Sequence, residues 1–374
     1  MKGYYILFGD KVKVNIQNKI DMQLDELRKH CDITYITSGS SYSNEKLSKM
    51  LFRIPLFNFP RFDFDRVFDQ LEEPDFIYFR RVSTDNNLIR FLMRVKTAYP
   101  NCKIIIELFS YPYYKDIYFN RQNIILLPKE VLFNKRYKKY VDRFVTYSRD
   151  TEIFGVKTIP IMNGIDTEQF GVITPRPTDE EIHMLAVAMF QKHHGYERII
   201  EGLHEYYAGG GKRNIKLLMV GEGPEIPKYK ELIANYNLNE HVVFYGKLQG
   251  EELNKVYNDS DIGLGSFGFY KIGLTLASSL KTREYLAKGL PLVAGCEQDM
   301  FPDGSGQYYL EFPNNDSVVD LQKILNFFDS IYSKADRREI ANKIHRFAKN
   351  TVSMAVAFKP VVDYLTGHKH DEEY

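Results

Sequence analysis

Within Ser279–Pro291, SLKTREYLAKGLP, a lysine and a glutamate stand three residues apart ahead of a Gly-Leu-Pro stop. Gly289 and Pro291 end a helix predicted over Thr282–Lys288, and the buried strand Leu292–Ala294 follows at once. At that spacing Lys281 and Glu284 share one face of the helix's first turns. A lysine there opposes the positive end of the helix dipole and is unfavourable unless an anion joins it. A diphosphate would be such an anion, held by Lys281 and the free backbone N–H groups together. A capping-box role for Glu284 would need Ser or Thr three residues earlier, where Lys281 stands. A plain surface Lys–Glu pair is the competing explanation.

Other blocks could serve the same chemistry. Gly263–Gly273 carries four glycines after a buried strand, and glycine lets backbone N–H groups approach a phosphate or sugar closely. Gly221-Glu-Gly-Pro224 and Tyr245-Gly246-Lys247-Leu248 each follow a strand, where a nucleotide base could rest against backbone. Gln191-Lys192-His193-His194-Gly195 follows another, with Lys192 as a second phosphate cation. The histidine pair has no third ligand at useful spacing, so no metal is expected there. Asp63-Phe64-Asp65 has the form of a carboxylate pair that holds a divalent ion against a diphosphate. It lies in an aromatic, basic stretch without a preceding buried strand, so it too is expected to be metal-free.

These blocks need a scaffold. Short apolar runs (Tyr4–Phe8, Ile33–Thr37, Phe76–Phe79, Lys103–Leu108, Phe144–Ser148) alternate with helical stretches such as Ile16–Lys29 and Asn87–Thr97. After the Asn163-Gly164 turn and a polar, proline-bearing stretch, a second series begins with Met184–Met189 and Lys216–Val220. This is an α/β chain of two Rossmann-like domains facing across a cleft, with ligands at the carboxyl ends of the strands. The expected limits are 1–165, 166–350, a closing helix over 351–366 that crosses back to the first domain, and a polar tail over 367–374. The 374 residues suit two domains, and 44% hydrophobic with 26% charged content is that of a globular protein. A net charge of +1 supplies no global field for nucleic acid. Cys31, Cys102 and Cys296 are isolated, which argues against a disulfide framework and for a reducing compartment. The run Tyr4–Phe8 is too short for a signal peptide, and no stretch would span a bilayer. A cytoplasmic protein is expected.

The order and wording of these blocks resemble the retaining family 4 glycosyltransferases of the GT-B fold, notably bacterial ones of surface-polysaccharide synthesis. The matching phrases are VDRFVTYSRDTEIFG (141–155), IMNGID (161–166), HHGYERIIEGL (193–203), VGEGPE (220–225), VVFYGKL (242–248) and SLKTREYLAKGLPLVAG (279–295), with ELFSYPYYKD (107–116) in the first half. The resemblance implies transfer of a sugar from a nucleoside diphosphate sugar, UDP favoured, to a glycan or lipid-linked hydroxyl. No cofactor or metal is implied. Glu284 would hold the ribose, Lys281 and Lys192 the diphosphate, and Gly246–Leu248 the base. Lys281, Lys192 and Glu284 are thus the expected reacting-centre residues. Gly221, Gly223, Gly246, Lys247, Leu248, Gly273, Leu276, Thr282 and His194 line the donor. Asp10, Asn15, Glu107 and Tyr111 lie on the acceptor side.

Two departures bear on this expectation. The family's Glu-x7-Glu pair would place its first glutamate, which in the family contacts the transferred sugar, at position 276, where this sequence has Leu276. The acceptor-half histidine of many members is also missing, since His30 is the only histidine before residue 183. A nucleotide-sugar epimerase and a non-catalytic nucleotide- or glycan-binding protein are the rival functions. No G-x-G-x-x-G follows Phe8, which argues against a dehydrogenase. Two segments alternate rings or apolar side chains with basic residues: 52–68 (FRIPLFNFPRFDFDRVF) and 131–143. Both would suit a peripheral position on the anionic inner face of a membrane.

Overall fold

A computed structural model describes residues 1–9, 12–41, 50–52, 59–109, 111, 127–177, 180–304, 306–333 and 335–367. The chain divides into two compact units, Met1–Met162 with Ala357–Tyr374, and Asn163–Val356.

In the first unit, strands β1 (Lys2–Leu7), β2 (Asp32–Thr37), β3 (Phe76–Arg80), β4 (Lys103–Leu108), β5 (Arg143–Thr146), β6 (Glu152–Ile153) and β7 (Val156–Pro160) form one sheet. Their order is β2-β1-β3-β4-β5-β7-β6, parallel throughout except for the β6–β7 pair. β1, β3 and β4 are covered on both faces, and so read as unbroken apolar runs in the sequence. Helix Asn86–Ala98 starts at Asp85, whose carboxylate accepts from Leu88 N–H, and buries Leu88, Phe91, Leu92 and Val95 on the sheet. Phe8 gathers Phe62, Phe64, Phe79 and Phe91 around it, with ring centroids 5.0–5.8 Å away. The aromatic stretch expected at a membrane edge therefore gives Phe62, Phe64 and Phe68 to this core, and Phe52 is buried as well; residues 53–58 lie outside the described ones. Asp63 and Asp65 are likewise occupied: Asp63 caps helix Phe64–Phe68 through Arg66 N–H, and Asp65 pairs with Arg94. The closing segment belongs to this unit, Phe358 packing edge-on to Tyr78 and Lys103 Nζ donating to the Tyr364 carbonyl (3.2 Å).

In the second unit, β8 (Glu181–Val187), β9 (Asn214–Val220), β10 (Val242–Gly246), β11 (Ile262–Leu264), β13 (Leu292–Ala294) and β15 (Tyr309–Glu311) make an all-parallel sheet in the order β10-β9-β8-β11-β13-β15. A separate pair joins β12 (Leu276–Ala277) to β14 (Glu297–Gln298). Helices Glu197–Ala208 and Leu321–Tyr332 bury Ile199, Ile200, Leu203, Ile324 and Phe328 in a core continuous with β8 and β9. The strand order runs outward in both directions from β8 and β11, so the winding of the chain across the sheet switches sides between them. That is the doubly wound arrangement expected from the sequence. The three cysteines are free. Among the described residues no helix is long and apolar enough to cross a membrane.

Candidate functional site

Open α/β sheets bind ligands where the strand order reverses, beyond the carboxyl ends of the strands. Here that place lies beyond Val187 and Leu264. The chain leaving β8 makes the short turn Lys192–His194; the chain leaving β11 makes the glycine-rich loop, then helix Leu280–Lys288. The two loops are locked together. Phe267 N–H donates to the His194 carbonyl (2.7 Å). Gly195 has φ +66°, and a Cβ there would come within 2.5 Å of Gly268 N, so only glycine fits the crossing. The fully buried Arg198 braces the same loop from below, donating to the carbonyls of Phe267 (2.6 Å) and Pro313 (3.1 Å).

The helix carrying Lys281 and Glu284 begins with an unmet electrostatic demand. Its N-cap Ser279 makes no side-chain cap bond, and its first turn holds no acid. The first N–H groups and the positive dipole end are therefore uncompensated by side chains. Lys281 adds a positive group there, 3.2 Å from His194 Nε2. Burial lowers the Lys281 pKa to about 8, with Glu284 pulling the other way. Burial also lowers His194 to about 3, helped by the nearby Lys281 and by His193. Glu284 is held by the Tyr257 hydroxyl (2.9 Å to Oε1). The helix itself is pinned at two points. Tyr285 OH accepts from Val187 N–H at the end of β8 (2.9 Å). The fully buried Arg283 donates to Asn163 O, Ser279 O (3.0 Å), Ser278 Oγ (3.2 Å) and Asp299 Oδ1. A cavity of ≈ 390 Å³ lies along this helix, walled by Glu284, Lys288, Asn254, Asn258 and Phe170; Lys281 and His194 are not among its lining residues.

The expected residues thus fall into three groups. Lys281, His194 and Glu284 come together with the helix N-terminus. Lys192 is exposed, its carbonyl accepting from Lys271 Nζ (3.3 Å), and the side chain beside Lys281 is that of His194. Thr282 spends its hydroxyl on the Ser279 carbonyl (2.9 Å). Gly221 and Gly223 press on the backbone of Ala188 and Phe190, where a Cβ would come within 1.9 and 2.3 Å of carbonyl oxygens. Gly246 accepts from Gly221 N–H (2.7 Å), followed by exposed Lys247 and half-buried Leu248. Gly273 is exposed, and Leu276 pairs with Glu297 in the small β12–β14 sheet.

In the first unit Glu107 is fully enclosed rather than facing an acceptor. Tyr78 OH and Tyr147 OH (each 2.8 Å) and Gln23 Nε2 (3.1 Å) donate to its carboxylate, with Arg80 and Lys19 at 3.8 and 3.9 Å. It is a buried counter-ion, since strand β4 turns it inward among those partners. Tyr111 packs against Phe154 (6.2 Å). Asp10 and the Asn15 side chain lie outside the described residues. Arg283, Asp299, Asn163 and Tyr257 escaped sequence reasoning. Arg283 sits inside the quoted segment, but its partners lie 16 and 120 residues away and leave no local pattern. Among the described residues no cluster of three His, Cys, Asp or Glu side chains could hold a metal.

The family model for glycosyl transferases group 1 matches residues 173–267, which include β8, β11 and His194. Similar solved structures extend over the whole chain. A glycosyltransferase from Rickettsia africae is 16% identical, with 98% of this chain and 99% of that one covered and a TM-score of 0.58. HepE of Anabaena in complex with UDP is 13% identical, with 98% and 100% covered and a TM-score of 0.59. The sucrose-phosphate synthase of Thermosynechococcus elongatus is 14% identical, with 98% and 100% covered and a TM-score of 0.58. The fold is of the GT-B type. No curated protein matches the chain in sequence. At these identities the structural likeness speaks for the fold, and the group 1 match speaks for the segment around β8–β11.

Proposed function

We propose that this protein is a retaining, metal-independent glycosyltransferase. It moves a sugar from a UDP-sugar to a hydroxyl of a glycan or lipid-linked acceptor in surface-polysaccharide synthesis. The observation that carries this reading is Lys281 and His194 at an uncapped helix N-terminus, one helical turn from Glu284. The group 1 match and a fold shared with HepE, which has been crystallised with UDP and with UDP-glucose, support it.

Breaking the glycosidic C–O bond leaves negative charge on the diphosphate. Donors already fixed around that charge lower the barrier without reorganising. Lys281, His194 and the backbone N–H groups of Leu280 and Lys281 would supply them, and Glu284 would accept from ribose hydroxyls. A thermal-shift panel of UDP-, GDP- and ADP-sugars tests the donor, because a ligand that binds only the native state raises its stability. A rise in Tm with UDP-sugars alone is expected; no rise with any nucleotide sugar contradicts the reading.

The acceptor being lipid-linked is favoured by one surface feature. Val131 and Leu132 are 67% and 63% exposed, and Lys135, Arg136, Lys138 and Lys139 are exposed beside them. Apolar side chains among cations suit an anionic bilayer surface. Sedimentation with liposomes containing phosphatidylglycerol should show binding that weakens with salt; no binding at low salt would remove this part. Leu276, standing where the family's first glutamate would be, favours a second reading as a non-catalytic nucleotide-sugar binder. Donor binding without transfer to any supplied acceptor would select it.

A further inference from the structure

The contact between Lys281 and His194 poses a question of protons. Gln191 N–H donates to His194 Nδ1 (2.9 Å), so that nitrogen carries no proton and the neutral ring is protonated on Nε2. Nε2 faces Lys281 Nζ at 3.2 Å. An ammonium has three donors and no acceptor, so a protonated Lys281 would set donor against donor. The contact is a hydrogen bond when Lys281 is the neutral amine and accepts from Nε2–H. Among the described residues, the titratable groups facing Lys281 are His194 and His193 from the Lys192–His194 turn, and Glu284 from its own helix.

Burial, together with Lys281 and His193, keeps His194 from charging until about pH 3. The proton in play near neutrality is therefore that of Lys281, which titrates at about 8. An anionic oxygen reaching this pair changes the arithmetic. It accepts from Nε2–H, and it favours the ammonium form of Lys281, which then donates to it as well.

We propose that an anion binds between His194 and Lys281 with uptake of one proton from solvent by the Lys281 amine, His194 acting as a neutral Nε2–H donor. No covalent bond to the ligand is made or broken; the amine gains the proton and with it the charge. The inference rests on reading this site as the diphosphate clamp, and it adds that donor affinity falls as pH rises past the titration of Lys281.

Calorimetric titration of the full chain with UDP-glucose, in buffers of different ionisation enthalpy, counts the protons. The diphosphate diester of that probe does not itself titrate between about pH 6 and about pH 8.5. Uptake near zero is expected at about pH 6, and roughly 0.75 proton at about pH 8.5, the neutral fraction of an amine titrating at about 8. His194→Gln offers Lys281 an amide oxygen that accepts from the ammonium, so uptake at about pH 8.5 should fall at least threefold while binding persists. Binding without uptake at about pH 8.5, or full uptake in His194→Gln, would overturn the proposal. Sulfate, which has no titratable proton in this range, separates the two levels. Sulfate bound with uptake while UDP-glucose gives no heat keeps the proton switch and removes the nucleotide-sugar reading; no binding of either removes both.

Discussion

Arg283 holds the helix of the candidate site in place, and its removal has a calculable cost. The side chain is fully buried and donates to a carboxylate, a hydroxyl and two backbone carbonyls; Asp299, its charged partner, is only 12% exposed. Arg283→Met keeps most of the volume and strands a buried carboxylate with two buried carbonyls. Breaking a buried pair from one side costs about 3–5 kcal/mol. In a unit of 194 residues (163 to 356 inclusive) each kcal/mol corresponds to about 2–4 °C in Tm, so a fall of roughly 6–20 °C is expected. Because the chain has no tryptophan, urea unfolding followed by far-UV circular dichroism is the practical assay. Arg283→Met/Asp299→Leu removes both charges and should recover about 1.5 kcal/mol or more. A single variant within about 0.5 kcal/mol of wild type, or a double variant no better than the single, would refute the claim that this pair anchors the helix.

Glu107 predicts a pH effect in the other unit. Burial alone would raise its pKa, but Lys19, Arg80 and the hydroxyls of Tyr147 and Tyr78 more than offset that and hold it below the usual value. The stability it contributes is therefore present above the unfolded-state pKa of about 4.3 and is lost as pH falls through the lower folded value. Glu107→Gln should flatten the acid limb of stability against pH in that window, read by thermal melts between about pH 5 and pH 2.5; an unchanged limb would contradict it. Gly195→Ala forces a side chain into the left-handed region and against Gly268. A loss of about 1–3 kcal/mol is expected by chemical denaturation, with at least tenfold weaker nucleotide binding because the loop bearing His194 must shift. Retained affinity would show that this crossing does not set the site.

The sequence carried the fold well because strands buried on both faces are unbroken apolar runs, as in FIYFR and KIIIEL, and these are hard to mistake. The Lys281–Glu284 helix was legible too, since its stop and its spacing are local facts. What stayed hidden depends on partners distant in the chain. Lys192 looked like the second cation because it is charged. His194 reaches Lys281 because the left-handed Gly195 and the Phe267–His194 backbone bond turn the loop that way. Glu107 looked available because charged residues seldom lie buried. Its burial needs Lys19, Arg80 and two tyrosines drawn from three other segments, which no window of sequence displays. The rings of 52–68 read as a membrane edge in sequence, but Phe8, far upstream, gathers Phe62 and Phe64 into the core.

The central claim is that a nucleoside diphosphate sugar binds at the end of β8 and β11, its ribose against Glu284 and its diphosphate against Lys281. Titration calorimetry with UDP, comparing wild type with Glu284→Ala and Lys281→Ala, tests it most directly. Truncating a charged hydrogen-bond partner of a ligand costs about 1.5–3 kcal/mol, so each variant should bind roughly 10- to 150-fold more weakly while still melting cooperatively in the absence of UDP. Wild-type affinity in both variants would contradict it.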